Sequence, residues 1–204
     1  MRATDVKVFG VIGAGQMGSG IAQIAAAQGF KVFLSDVSEE VAAKGKERIG
    51  SILAKQVDKG KMAAEARLEL LERIIPCGGV SAMAEADIVV EAATENFDVK
   101  QKIFRDADAA MKKNAILASN TSSISITKLA GSVSRPDRVI GMHFMNPVPL
   151  MKLVEIVRAM QTSEETYEVV RDLAIRLGKT VITSKDQPGF VVNRMLVPFL
   201  NEAC

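Results

Sequence analysis

A glycine-rich turn between an apolar segment and a helix, close to the start of the chain, constrains the fold more than any other feature. Residues 6–12 form an almost continuous apolar run, typical of a strand buried on both faces of a parallel sheet. Gly13, Gly15 and Gly18 follow as G-x-G-x-x-G, and a helical pattern of alanine and isoleucine overlaps them. A second strand pattern then ends at Asp36. The sequence therefore predicts a βαβ unit.

In this setting the glycines predict a dinucleotide-binding site. The first glycine permits a tight turn, the second lets the backbone approach a pyrophosphate, and the third lets the helix lie close to the sheet. We expect the cofactor site to include Gly13, Ala14, Gly15, Gln16, Met17, Gly18 and Asp36. The Asp36 carboxylate can accept hydrogen bonds from ribose hydroxyls and repels a 2′-phosphate, which favours NAD(H) over NADP(H).

The remaining chain alternates strand and helix patterns, which predicts an α/β fold with a Rossmann-like, doubly wound, mostly parallel sheet. Two helical patterns at about residues 38–73 indicate a helical hairpin inserted into this fold. We expect residues 1–186 to form the dinucleotide-binding domain and residues 187–204 to begin an all-α domain. Because this last helix is strongly apolar and has no C-terminal cap, we expect the natural protein to continue beyond residue 204.

Composition narrows the possible function classes. Hydrophobic residues make up 48% of the 204 residues, which is ample for a packed core. A net charge of +2, 4% aromatic residues and no tryptophan give no reason to expect a nucleic-acid partner. No apolar run is long enough to predict a membrane-spanning helix. Cys77 and Cys204 lie far apart without metal-site spacing, so we expect free thiols, a reducing compartment such as the cytoplasm, and no bound metal.

His143 is the only histidine of the chain, and it ends a strand pattern beside a loop that contains Pro147 and Pro149. A lone histidine on an apolar segment is more often a structural residue than a catalytic one. Here, however, the prolines force a turn, and the returning strand brings Glu155 back towards the imidazole. A carboxylate bonded to one ring nitrogen raises the basicity of the other, so this pair is a candidate general base.

Five segments resemble, in the same order, the motifs of the short-chain L-3-hydroxyacyl-CoA dehydrogenases, in particular the bacterial 3-hydroxybutyryl-CoA dehydrogenases. The segments are VIGAGQMGSGIAQIAAAQGF, VVEAATEN, LASNTSSISIT, GMHFMNPVPLMKLVEIV and DQPGFVVNRMLVPFLNEA. The resemblance covers almost the whole chain. It implies an enzyme that interconverts a 3-hydroxyacyl-CoA and a 3-oxoacyl-CoA with NAD(H), and a homodimer formed through a C-terminal helical domain.

The same resemblance implies roles for individual residues. The family's catalytic histidine and glutamate match His143 and Glu155. Its active-site serine and asparagine match Ser122 and Asn193, which are implied to donate hydrogen bonds to the substrate. Further cofactor contacts are implied for Glu95, Lys100, Ser122 and Asn146. Met145 stands where the family has phenylalanine, an apolar exchange that puts no catalytic residue in doubt.

One edge of the first helix in the predicted hairpin is basic. Four side chains fall within about 60° of arc on that helix, namely Lys44, Arg48, Lys55 and Lys59. A solvated charged face is the ordinary interpretation. The resemblance implies instead that Lys55 and Lys59 bind the phosphates of coenzyme A. Gly45 and Gly50 each weaken the helix by roughly 1 kcal/mol relative to alanine, which suits a mobile hairpin that closes on coenzyme A.

Two other functions stay open at this point. A dehydrogenase of a free 3-hydroxy acid would share the cofactor domain, but related enzymes of that type use a lysine base, and the pairing of His143 with Glu155 argues against it. A non-catalytic NAD-binding protein, like the lens crystallin related to the family, would retain the cofactor site. Activity towards a CoA thioester and towards the free acid distinguishes these possibilities.

Overall fold

Strands and helices alternate along the chain, and the computed structural model describes residues 1–204. The strands are β1 (Val8–Ile12), β2 (Lys31–Asp36), β3 (Ile74–Gly78), β4 (Ile88–Glu91), β5 (Ile116–Ser119), β6 (Val139–Phe144), β7 (Leu153–Arg158) and β8 (Thr180–Lys185). The α-helices are α1 (Gln16–Ala27), α2 (Glu39–Asp58), α3 (Ala64–Glu72), α4 (Phe97–Ala110), α5 (Ile126–Ala130), α6 (Glu164–Arg176) and α7 (Val192–Ala203). None of the helices combines the length and apolar character needed to cross a bilayer.

All eight strands form one sheet in the order β3-β2-β1-β4-β5-β6-β7-β8, and only the β6–β7 pairing is antiparallel. Strand β1 lies between β2 and β4, so successive strands are added on one side of β1 and then on the other. In open α/β sheets, ligands bind outside the carboxyl ends of the strands at such a reversal. The predicted Rossmann-like, doubly wound and mostly parallel sheet is confirmed.

Two apolar cores, one on each face of the sheet, hold the helices in place. Helices α1, α2, α3 and α6 pack on one face, with side chains such as Ile21, Ile49 and Leu173 fully or almost fully buried. Helices α4 and α5 pack on the other face, where Phe104 and Leu129 are buried. The strands are therefore covered on both sides, which explains their near-continuous apolar sequences.

Strand β3 was not predicted from the sequence, and its presence changes the meaning of the hairpin. Helices α2 and α3 form the crossover that connects β2 to the parallel strand β3, rather than an insertion outside the sheet. Pro76 lies within β3 and lacks the N–H that a sheet ladder needs. Proline is tolerated in an edge strand, and β3 pairs only with β2 at the edge of the sheet.

Asp87 joins the amino-terminal ends of β1 and β4. Its Oδ2 accepts hydrogen bonds from the N–H groups of Lys7 and Val8, both at 2.9 Å. Its Oδ1 accepts one from Lys112 Nζ at 2.8 Å. Burial alone would raise the pKa of Asp87, but these hydrogen bonds outweigh it and the pKa lies below the ordinary aspartate value.

We expect Asp87→Asn to lower the free energy of unfolding by about 1–2 kcal/mol at pH 7, because a carboxylate accepts stronger hydrogen bonds than an amide. Since the pKa of Asp87 is lowered by folding, its contribution is full above the unfolded pKa of about 3.9 and is lost as the pH falls through the folded value. Urea unfolding at neutral and acid pH measures this difference. Asp58→Asn, at an exposed site without an ion pair, is the control. Equal losses in the two variants would contradict the prediction.

Candidate active site

The glycine turn between β1 and α1 leaves room for a ligand at only one of its three glycines. Gly13 has a φ of 103°, and a Cβ there would lie 2.6 Å from the carbonyl oxygen of Ala92, just after β4. A Cβ on Gly18 would overlap the carbonyl oxygen of Gly13. Gly15 faces open space, with no atom within 4 Å of a Cβ placed there. The open side of the turn is therefore where a pyrophosphate would approach.

Asp36 closes β2 with its carboxylate against this turn. Its Oδ2 accepts a hydrogen bond from the N–H of Ala14 at 2.6 Å, and its Oδ1 accepts one from the N–H of Val37 at 2.8 Å. Each oxygen retains a lone pair for a ribose hydroxyl. Helix α1 begins at Gln16 without a side-chain cap, so its first N–H groups are free to bind phosphate oxygens. These residues fit a dinucleotide.

Helix α2 packs against the same turn through Gly45. A Cβ on this buried glycine would come within 2.8 Å of the Ala14 Cβ and 3.2 Å of the Ser19 hydroxyl. The Arg48 guanidinium also reaches the Ala14 carbonyl oxygen, at 3.5 Å. The sequence indicated only a helix-weakening role for Gly45, and the packing shows an additional reason for a glycine here. It is the position at which the α2–α3 hairpin approaches the cofactor turn.

Alanine at Gly15 and at Gly18 should have opposite effects. Gly15→Ala should change stability by no more than about 0.5 kcal/mol but weaken NADH binding at least about tenfold, since its Cβ occupies the open side of the turn. Gly18→Ala should cost more than about 4 kcal/mol, since its Cβ meets backbone that cannot move aside. Thermal melting and NADH fluorescence titration measure both effects. Unaltered NADH affinity in a folded Gly15→Ala protein would disprove the placement of the pyrophosphate.

A buried ion pair lies at the end of β4. Lys100 Nζ donates to both carboxylate oxygens of Glu91, at 2.7 and 2.6 Å, and both side chains are almost completely buried. Ser119 Oγ and the N–H of Ala93 also donate to Glu91, each at 2.8 Å. The Lys100 ammonium is thus engaged by Glu91 and not by Glu95. Glu91 was missed in the sequence, although a charged residue ending an apolar strand pattern is a recognisable signal.

Glu95, in the loop after β4, holds the loop after β5. Its carboxylate accepts hydrogen bonds from Thr121 Oγ1 at 2.6 Å, from Ser122 N–H at 2.9 Å and from Ser122 Oγ at 3.2 Å. A carboxylate only accepts, so the hydroxyl proton of Ser122 points to Glu95. In this arrangement Ser122 presents lone pairs to a ligand, whereas the sequence implied a hydrogen-bond donor.

A cavity of ≈ 170 Å³ brings three of the predicted cofactor residues together. Its lining includes Met17, Glu95, Lys100 and Asn120. Asn120 was not predicted as a site residue. Its Oδ1 accepts a hydrogen bond from the N–H of Phe144 at 2.9 Å, which joins the carboxyl ends of β5 and β6. One residue that lines the cavity is therefore hydrogen-bonded to the strand that carries His143.

His143 and Glu155 meet on neighbouring antiparallel strands. They lie directly opposite one another in the β6–β7 pairing, and His143 Nδ1 is 2.7 Å from Glu155 Oε2. His143 is 7% exposed and Glu155 is 0% exposed. The contact expected from the proline loop is present. Since Nδ1 is bonded to the carboxylate, Nε2 is the ring nitrogen that remains to exchange a proton with a ligand.

The second carboxylate oxygen of Glu155 holds the start of α7. Oε1 accepts hydrogen bonds from the N–H groups of Val191 at 2.9 Å and Val192 at 3.0 Å. The N–H groups at a helix amino terminus favour a negative charge. Asn193 follows in the first turn of α7 and is half-buried. Asn193 therefore directly follows, in the chain, a residue that binds Glu155.

Lys179 anchors the loop between β6 and β7. Its Nζ donates to the carbonyl oxygens of Val148 at 2.5 Å and Met151 at 2.8 Å, and burial lowers its pKa. Asn146 lies exposed at the start of this loop, and its side chain forms no hydrogen bond within the protein. The loop is thus held on one side while Asn146 remains free for a ligand.

The basic edge of α2 is exposed along its length. The four side chains are Lys44, Arg48, Lys55 and Lys59. None of them forms an ion pair with a carboxylate, so their charges are not neutralised within the protein. Lys55 lies in the last turn of α2, and Lys59 follows directly after the helix.

The comparisons with known sequences agree on one family. The family model described as "3-hydroxyacyl-CoA dehydrogenase, NAD binding domain" matches residues 8–187. A 3-hydroxybutyryl-CoA dehydrogenase from Bradyrhizobium diazoefficiens is 49% identical over 201 residues, covering 98% of this chain and 69% of that protein. A probable 3-hydroxybutyryl-CoA dehydrogenase from Bacillus subtilis is 48% identical over 199 residues, covering 98% of this chain and 69% of that protein.

A solved structure also resembles this chain closely. The crystal structure of (S)-3-hydroxybutyryl-CoA dehydrogenase from Ralstonia eutropha superposes with a TM-score of 0.95 and 48% sequence identity. The match covers 97% of this chain and 70% of that chain.

Proposed function

This chain belongs to the 3-hydroxyacyl-CoA dehydrogenase family, and we propose that it interconverts (S)-3-hydroxybutyryl-CoA and acetoacetyl-CoA with NAD(H). The names of relatives that are 48–49% identical support the four-carbon substrate. The observation that carries the chemistry is the buried contact of 2.7 Å between His143 Nδ1 and Glu155 Oε2. This pair lies at the carboxyl ends of the parallel strands, where the cofactor turn also lies, because β1 and β6 run in the same direction.

His143 and Glu155 have different roles in the proton transfer. Bound NAD(H) supplies the acceptor or donor of the hydride exchanged with C3 of the substrate. In the oxidation direction, His143 Nε2 takes the proton of the 3-hydroxyl group, and in reduction it returns that proton to the oxygen. His143 Nδ1 keeps its proton throughout and donates it in a hydrogen bond to Glu155 Oε2. The carboxylate stabilises the imidazolium that forms and holds the ring in the required tautomer.

We propose that Ser122 and Asn193 orient the substrate on either side of this pair. Ser122 is held by Glu95, and Asn193 has an amide with two N–H donors in the first turn of α7. A donor role for Ser122 requires its hydroxyl to turn away from Glu95 when the substrate binds. The proposed cofactor contacts outside the glycine turn are Glu95, Lys100, Ser122 and Asn146.

The experiment that tests the reaction is NADH oxidation with acetoacetyl-CoA, beside the same assay with free acetoacetate. We expect activity with the thioester and little with the free acid. His143→Gln should lower kcat about 10²–10⁴-fold, because proton transfer by a positioned side chain contributes that factor. NADH binding and the melting temperature should stay close to wild type, which separates lost chemistry from lost folding. A folded His143→Gln protein with wild-type kcat would refute the proposed mechanism.

We further propose that Lys55 and Lys59 bind the phosphates of the coenzyme A moiety. Their exposure without carboxylate partners supports this role, and Gly45 places the hairpin beside the cofactor turn. Lysine charges at an exposed site are attractive to phosphate without requiring a preformed pocket.

Replacing both lysines with alanine should raise the KM for acetoacetyl-CoA about threefold to tenfold, since two exposed ion pairs contribute on the order of 1 kcal/mol. The KM for acetoacetyl-pantetheine, which has no phosphate, should not change. Lys113→Ala, at an exposed position distant in sequence from the hairpin, is the control. Equal increases of KM for the two substrates would show that the lysines act without binding phosphate.

The arrangement of domains is also a proposal. We propose that residues 1–186 form the NAD-binding domain and that α7 belongs to a second, helical unit through which the protein forms a homodimer. Helix α7 supports this because it has no buried residue and exposes Met195, Leu196, Val197, Phe199 and Leu200. Both cysteines are free, which supports a cytoplasmic location. Neither a nucleic acid nor a membrane is proposed as a partner, since the net charge is only +2.

A further inference from the structure

Phe190, in the segment between β8 and α7, has an unusual backbone conformation. It is the only residue other than glycine with a positive φ, at 50°. The left-handed region is unfavourable for a bulky side chain, and Phe190 is also buried, with 3% of its surface exposed. Strain of this kind persists where surrounding contacts over-determine the conformation, and it concentrates at functional sites.

The contacts around Phe190 lead to both members of the acid–base pair. Its ring packs edge-on against the His143 imidazole, with centroids 5.7 Å apart and the planes inclined at 62°. The next two residues, Val191 and Val192, donate their N–H groups to Glu155. Phe190 therefore places its own ring against the imidazole of His143. The two residues that follow it bind the carboxylate of Glu155.

The start of the segment is fixed independently at Asp186. Its carboxylate accepts hydrogen bonds from Ser125 Oγ at 2.7 Å, Ile126 N–H at 3.1 Å and Thr127 N–H at 2.8 Å. Burial alone would raise the pKa of Asp186, but these hydrogen bonds outweigh it and the pKa lies below the ordinary aspartate value. The segment is thus tied by Asp186 before Phe190 and by Glu155 after it, and the N–H of Phe190 itself donates to the carbonyl oxygen of Gln187 at 2.9 Å.

We infer that Phe190 is a positioning residue for the acid–base reaction, holding the imidazole ring so that Nε2 faces the substrate. The hydrogen bond to Glu155 fixes Nδ1 but leaves the ring free to swing about that contact. The edge of the Phe190 ring blocks this rotation of the imidazole and shields the buried pair from water. Away from water, hydrogen bonds between charged groups are stronger. The inference rests on the proposed role of His143 as the proton acceptor.

The test compares Phe190→Leu with Phe104→Leu. Both side chains are buried in the same apolar core, but Phe104 lies on α4 and does not contact the pair. We expect Phe190→Leu to lower kcat about 10- to 100-fold, because a small misplacement of a reacting group has costs of that size. The KM values and NADH affinity should stay within about twofold of wild type. Phe104→Leu should lose stability without losing kcat, when both are assayed well below their melting temperatures.

The His143 ring gives a second measurement that does not depend on activity. As the only histidine, it gives a single set of imidazole NMR signals. We expect the signals to move and the Nδ1–H proton to exchange faster with water in Phe190→Leu, and to stay unchanged in Phe104→Leu. If Phe190→Leu does not fold, Phe190→Met fills a similar volume and serves instead.

The outcomes separate the inference from the reaction on which it rests. Wild-type kcat and unchanged ring signals in a folded Phe190 variant would overturn the inference. If His143→Gln loses activity in the same assays, the proposed reaction still stands. An equal loss of kcat in Phe104→Leu would also overturn it, because a general loss of packing would then be enough. Wild-type kcat in His143→Gln would refute the reaction itself.

Discussion

The arrangement of β6, β7 and the start of α7 around the proposed active site depends on one buried charge, the carboxylate of Glu155. It is 0% exposed, and an unpaired charge at such a position costs several kcal/mol. Three donors surround it, the imidazole of His143 and the N–H groups of Val191 and Val192. These donors come from β6 and from the start of α7, so both elements must lie where they do for the charge to be tolerated. The positions of His143, the proposed proton acceptor, and of the start of α7 are therefore both tied to this one carboxylate.

The cofactor side is built around a second buried carboxylate, that of Glu91. Lys100 from α4 and Ser119 from β5 both bind it, which fixes two neighbouring elements to the end of β4. The loops that follow β4 and β5 are then joined to each other through Glu95 and Thr121. Loops are usually the most mobile parts of a fold. Here Glu91, at the end of β4, and Glu95, in the loop after β4, hold these loops through hydrogen bonds.

Local signals in the sequence were sufficient to predict β1, α1, β2 and the pairing of His143 with Glu155. Each of these depends on residues close together in the chain, namely an apolar run, a glycine turn or a strand that returns through prolines. Strand β3 was missed because Pro76 reads as a break, and only its place at the edge of the sheet makes the residue acceptable. The close approach at Gly45 depends on how distant elements pack, which no local pattern records. Glu91 could have been noticed as a charged residue that ends an apolar strand pattern, but its pairing with Lys100 depends on how α4 packs against β4.

The antiparallel pairing of β6 with β7 also selects its own register as the chain folds. Side chains alternate between the two faces of a strand, so a slip of one residue would turn Glu155 to the face opposite His143. The carboxylate would then be buried without its imidazole, which disfavours the slipped form by several kcal/mol. The His143–Glu155 contact therefore helps to specify the β6–β7 register, and the native pairing of these two strands by itself brings the two side chains of the proposed acid–base pair together.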